Sequence, residues 1–145
     1  MKLNDLPFSV FGDMSYRGKC PTEAQEQVTF FAMLRREYPG TWGALAVHPR
    51  NEGLKSGGQF SSVQRHAAEG MTKGAADIII PGAPAFVCEM KRRDHTQSAW
   101  QDGQVEYLAA AQEAGAFACV ALGHEAAWEA VQAWIGDQAC NCATY

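Results

Sequence analysis

Asp77, Glu89 and Lys91 stand at a spacing that can do chemistry in this chain of 145 residues. The turn-forming run Pro81-Gly82-Ala83-Pro84 lies between the two acids, so a hairpin would set them on roughly facing rungs. Side chains alternate along a strand, which puts Val87, Glu89 and Lys91 on one face and Phe86, Cys88 and Met90 on the other. Charges on otherwise apolar strands are costly unless they are paired or bind a metal. Two neighbouring carboxylates suit Mg²⁺, with Mn²⁺ as a substitute. A nearby amine can help deprotonate a water or neutralise a transition-state phosphate. This is equipment for hydrolysing a phosphodiester. A bare Glu-x-Lys also arises by chance, and on an exposed edge strand it is usually a solvated salt pair.

Three features bear on that choice. Glu23 falls within the apolar stripe of a helix that opens at Thr22, with Gln27 beside it and Glu26 at the flank. It either reaches the site or stabilises the helix dipole in the first turn. Gln104 shares a helix face with Trp100, Tyr107 and Ala111, where it either bonds a backbone group or orients a water or phosphate. Basic residues surround the hairpin: Lys73 before it, Arg92 and Arg93 at its end, and Arg50, Lys55 and Arg65 in the connecting segment. They form either a path for nucleic-acid phosphates or an ordinary solvated surface.

The elements that must position these residues follow from the pattern. Thr22 and Gln25 make a capping box for a helix to about Tyr38, which carries Phe30, Phe31, Leu34 and Tyr38 as a stripe. Residues 42–47 read as a short strand and 61–69 as a short helix. Strands at 75–80 and 85–91 form the hairpin. A helix over 98–114, a strand over 117–122 and a final amphipathic helix over 125–135 complete an α-β-α-β-β-α-β-α order. This is an α/β chain with a mixed four-stranded sheet flanked by helices. In the last helix, Trp128, Val131, Trp134 and Ile135 form a stripe for the core or for a dimer seam.

The bulk properties set outer limits. Length fits one compact domain, with 47% hydrophobic and 19% charged residues. No apolar run is long enough for a membrane helix, and the first residues do not read as a secretory signal, so the expected location is cytoplasmic. Net charge is -4, yet all twelve Lys and Arg lie at or before Arg93, against nine acids there and seven beyond. An acidic protein can still meet a polyanion through one basic face. Cys88 and Cys119 read as core, while Cys140 and Cys142 lack a partner motif for zinc. The four histidines lack zinc-hydrolase spacing, and no glycine pattern forms a nucleotide loop, so no nucleotide cofactor is expected.

Taken together, Gly70-Met71-Thr72-Lys73-Gly74-Ala75-Ala76-Asp77-Ile78, Phe86-Val87-Cys88-Glu89-Met90-Lys91, Gln104 and Gly115 resemble the VRR-NUC branch of the PD-(D/E)XK nucleases. Thr22-Glu23-Ala24-Gln25-Glu26-Gln27 is similar to that branch's opening helix, and His48-Pro49-Arg50-Asn51-Glu52-Gly53 to its asparagine-containing loop. The resemblance covers about residues 22 to 136, which leaves 1–21 as an N-terminal extension and 137–145 as a tail. It implies a restriction-endonuclease-like core with Mg²⁺ held by Asp77, Glu89 and the Met90 carbonyl. Glu23 would support the metal directly or through water, with Glu26 as the competing helix acid. Lys91 would be the catalytic lysine, with Gln104 beside the site. Compact stand-alone members resemble phage and bacterial Holliday-junction resolvases, which implies a homodimeric, structure-selective endonuclease on branched DNA. The bacterial cell or a phage-infected host would be its setting. A repair or restriction-like nuclease on flaps or linear DNA, and an inactive nucleic-acid-binding domain, are the other readings. Ala76 stands where the family has proline and Gln101 where it often has serine; the Val-Arg-Arg signature is absent.

Overall fold

Thr22 starts the first long helix as its side chain requires. Its hydroxyl accepts from Gln25 N at 3.2 Å, and Gln25 Oε1 accepts from Thr22 N at 2.9 Å. These bonds satisfy donors that a helix start otherwise leaves open. The computed structural model describes residues 2–49 and 60–142. After a 3-10 turn at Leu3–Asp5 come β1 (Ser9–Phe11), α1 (Glu23–Glu37), α2 (Trp42–Leu45) and α3 (Phe60–Ala68). Then follow β2 (Ile78–Ile80), β3 (Phe86–Lys91), a 3-10 turn at His95–Gln97, α4 (Gln104–Glu113), β4 (Phe117–Leu122) and α5 (His124–Cys142).

The four strands form one mixed sheet in the order β1-β4-β3-β2. The β2–β3 hairpin is antiparallel, whereas β3 and β1 each pair parallel with β4. A parallel return needs a crossover, and α4 supplies it between β3 and β4. One face packs Ile78, Ile80, Cys88, Met90 and Cys119 against Phe30, Leu34, Val131 and Trp134 of α1 and α5. The other packs Val87, Ala118 and Val120 against Leu108 of α4 and Leu3 and Phe8 of the N-terminal segment. The α5 stripe is therefore core: Val131 and Trp134 are buried, with Trp128 and Ile135 packed against them.

Two elements differ from the sequence expectation. Residues 42–47 do not form a strand. Trp42–Leu45 is a short helix, and only Val47 makes an isolated bridge, to Ile79. Trp42 explains the choice, because its ring sits 4.9 Å from Tyr38 and 5.5 Å from Trp134, centroid to centroid. The fourth strand is instead β1, inside the stretch read as an N-terminal extension, where Ser9, Val10 and Phe11 pair with Cys119, Val120 and Ala121. The observed order thus begins β-α-α-α before the hairpin.

Helix ends shift as well. The helix expected from 98 begins at Gln104, because Gly103 takes φ +91° and stops helical geometry there. Gly74, at φ +75°, crosses Gly103 so closely that a Cβ on it would overlap the Gly103 carbonyl. Helix α5 runs beyond the expected 135 into the stretch read as a tail. The asparagine-containing loop from Arg50 onward, and the side chains of Cys140 and Cys142, lie outside the described residues. No helix among the described residues is long and apolar enough to cross a membrane.

Candidate active site

The hairpin register decides where the acids meet. Ile78 pairs with Cys88, so one rung further Asp77 stands opposite Glu89 on the face that α4 covers. Asp77 Oδ2 accepts from Met90 N at 3.0 Å, which anchors the carboxylate just before β2 begins. Strand β3 is interior, flanked by β2 and β4, and all six of its residues are buried. Glu89 and Lys91 are each only 1% exposed. A solvated salt pair on an edge strand is thereby excluded by position.

The 98–104 segment closes over this pair. Gln104 Nε2 donates to Glu89 Oε1 at 2.6 Å, and Gln104 Oε1 accepts from Lys91 Nζ at 3.0 Å and from Gln101 N at 2.8 Å. Lys91 Nζ also donates to the Ala99 carbonyl at 3.1 Å and lies 3.5 Å from Glu89 Oε1. The same nitrogen sits 4.5 Å from the centre of the Trp100 ring, within cation–π range. Trp100 and His48 are two contacts that the sequence did not single out as parts of this centre. His48 Nδ1 bonds the Asp77 carbonyl oxygen at 2.8 Å and lies 4.0 Å from Asp77 Oδ1. His48 lies 29 residues from Asp77 and carries no periodic signal of that contact, and helix periodicity set Trp100 beside Gln104 rather than over Lys91.

Burial pushes the Glu89 carboxyl well above its ordinary range, and the facing Asp77 charge pushes it further; Lys91 opposes both. Among the described residues, no N–H donor reaches the buried Glu89 Oε2. A lone carboxylate oxygen facing a second carboxylate is costly, and a divalent cation between them relieves that cost. The Met90 carbonyl fits the same gap. Lys91 O is taken by Gly123 N at 2.9 Å on the β4 side, so by strand alternation Met90 O faces the Asp77 side. Asp77, Glu89 and that carbonyl make an all-oxygen set suited to Mg²⁺ or Mn²⁺. Among the described residues, no three His, Cys, Asp or Glu side chains group as a metal cluster, so a cation here would rely on two carboxylates and the backbone oxygen.

The two acids of α1 separate cleanly. Glu26 is 3% exposed, and its Oε2 takes both the backbone N–H of His124 and, at 2.6 Å, the His124 ring nitrogen Nδ1. It ties α1 to the start of α5 and is committed there. Glu23 is half-buried, and its charge adds to the upward push on Glu89.

The basic residues are less uniform than their sequence positions imply. Arg65 is exposed on α3, and Arg93 is exposed with its guanidinium 4.2 Å from the centre of the Tyr16 ring. Lys73 pairs with Asp102 at 2.6 Å at the surface. Arg92 turns inward, donating to the Cys20 carbonyl at 2.7 Å, which favours a structural task over a phosphate contact. Arg50 and Lys55 lie outside the described residues.

The fold is shared with a solved structure named VRR_NUC domain protein, at a TM-score of 0.63 and 20% sequence identity over 83% of this chain and 92% of that one. At that identity the likeness is one of fold. No family model matches the sequence. No curated protein matches it.

Proposed function

We propose that the chain is a divalent-metal-dependent DNA endonuclease, with Asp77, Glu89 and the Met90 carbonyl as the metal site. The observation that carries this reading is the buried Glu89 Oε2, which no N–H donor among the described residues reaches, facing Asp77 across the hairpin, with the Lys91 ammonium beside it. The fold likeness and the motif resemblance support the same reading.

Mg²⁺ or Mn²⁺ bound there supplies Lewis-acid charge at a phosphate and lowers the pKa of water. The protein's own groups do the rest. Asp77 is held by Met90 N, and Glu89 by Gln104 Nε2, so neither carboxylate must reorganise when substrate arrives. Lys91 is fixed on one side by the Ala99 carbonyl and Gln104 Oε1, so its charge stays beside the carboxylates, where a phosphate would gain negative charge. Glu23 adds negative charge at the edge of the site, where it would favour a bound cation. Arg65 and Arg93 offer exposed positive charge for the phosphate backbone.

The resemblance to stand-alone resolvases supports branched DNA as the substrate, a homodimer as the acting form, and the cytoplasm of a bacterial cell or phage-infected host as the setting. Cleavage assays on four-way junctions, flaps, single strands and duplexes, with Mg²⁺, Mn²⁺ or chelator, test it. Metal-dependent cutting that favours the branched substrates is expected. Binding without cutting in either metal would make the chain a DNA-binding domain instead.

A further inference from the structure

A groove of about 740 Å³ runs along the outer face of α1, bounded across from it by Ala46, Val47 and His48. Val28, 71% exposed, and Val47, 52% exposed, line it, and both are among the few large apolar side chains the described residues leave in solvent. Phe31, only 8% exposed, borders it from the core, with the Arg35 guanidinium 5.2 Å from its ring centre. Gln27 and His48 complete the polar lining, and among the described residues no carboxylate lines it. A second groove, beside the start of α5, differs in character: Asp13, Glu26, Glu125 and Glu129 line it against Lys19 and Arg93. In a chain of net charge -4, the described residues of the α1 groove bring Arg35 and no acid.

Its position is equally specific. His48, at the groove's end, bonds the carbonyl of Asp77, so whatever fills the groove emerges next to the carboxylate pair. The lining asks for a ligand that is anionic and also offers flat apolar faces. Duplex DNA is anionic but hides its base faces in the stack. Unpaired nucleotides present both phosphates and bases, and proteins hold them by combining cationic side chains with apolar and aromatic platforms.

We propose that this groove binds unpaired nucleotides flanking the scissile phosphate. Base faces lie on Val28 and Val47, and phosphates meet Arg35 and His48. The inference rests on the nuclease reading for its direction, since it names the single-stranded part of that site's substrate.

Fluorescence anisotropy in chelator tests it without any cleavage, using an oligothymidine, an abasic oligomer of equal length and a duplex. The full chain should bind the oligothymidine about tenfold more tightly than the abasic strand. Val28→Ser with Val47→Ser should erase most of that preference, and Arg35→Ala should weaken both single strands. Equal binding of the abasic strand, or an unaltered preference in the double variant, would overturn the proposal. So would a wild-type dimer in sedimentation that the double variant dissociates, because the groove would then be a self-interface. If the double variant fails to fold, photocrosslinking of an iodouracil-containing strand to wild type decides: crosslinks within 24–35 or 46–48 are expected, and crosslinks confined elsewhere contradict it. A base preference without any metal-dependent cutting would remove the nuclease reading but leave the groove. Cutting without the preference would do the reverse.

Discussion

Gln104 bridges Lys91 and Glu89 with a single amide: its oxygen accepts from Lys91 Nζ at 3.0 Å while its nitrogen donates to Glu89 Oε1 at 2.6 Å. The buried ammonium and carboxylate are thereby held in register by a neutral group that serves both. Removing the amide leaves both charges short of a partner in a dry site. Gln104→Leu should therefore cost about 2 kcal/mol of stability in denaturant melts. It should slow metal-dependent cleavage by at least about tenfold.

Trp100 offers a separable test of the Lys91 environment. A ring 4.5 Å from the ammonium stabilises its charge without making a hydrogen bond. Trp100→Phe should retain most of the cleavage rate, whereas Trp100→Ala should lose about tenfold, worth roughly 1–2 kcal/mol. Equal rates in the two variants would show that the ring's face does not matter.

The raised Glu89 carboxyl makes stability depend on pH with a definite sign. Its folded value lies above the ordinary 4.5, so the folded protein holds a proton that the unfolded chain has released. This group's contribution is at its best below about pH 4.5 and is lost as pH rises through the folded value. In chelator, wild-type stability should decline from mildly acidic to neutral pH, and Glu89→Gln should flatten that decline. Saturating Mg²⁺ should flatten it in wild type too. Melting curves across the pH series check all three.

Glu26 and Glu23 should part company under mutation. Glu26→Ala removes a buried bond to the start of α5 and should cost about 2 kcal/mol. Half-buried Glu23 makes no such bond among the described residues, so Glu23→Ala should leave melting nearly unchanged while slowing cleavage. Parallel melts and rate measurements on the pair decide it.

The site was legible because its logic is local. A hairpin around Pro81-Gly82-Ala83-Pro84 fixes Asp77 opposite Glu89, and strand alternation fixes Lys91 beside Glu89. What was not legible depends on distant partners. The three residues of β1 carry too short a pattern to announce a strand, and only pairing with β4 makes them one. Trp42 to Val47 is an apolar run whose helix or strand character periodicity cannot settle, and aromatic packing settled it. Glu26 looks peripheral on a helical wheel, yet α5 arrives at that flank and buries it. Arg92 and Lys73 counted as free cations in sequence, but one is claimed by the Cys20 carbonyl and the other by Asp102.

Manganese located by anomalous scattering in a crystal of the intact chain tests the centre of this account most directly. The expected peak lies between Asp77 Oδ1 and Glu89 Oε2, within bonding distance of both and of the Met90 carbonyl. A peak elsewhere, with the two carboxylates turned away from each other, would contradict it.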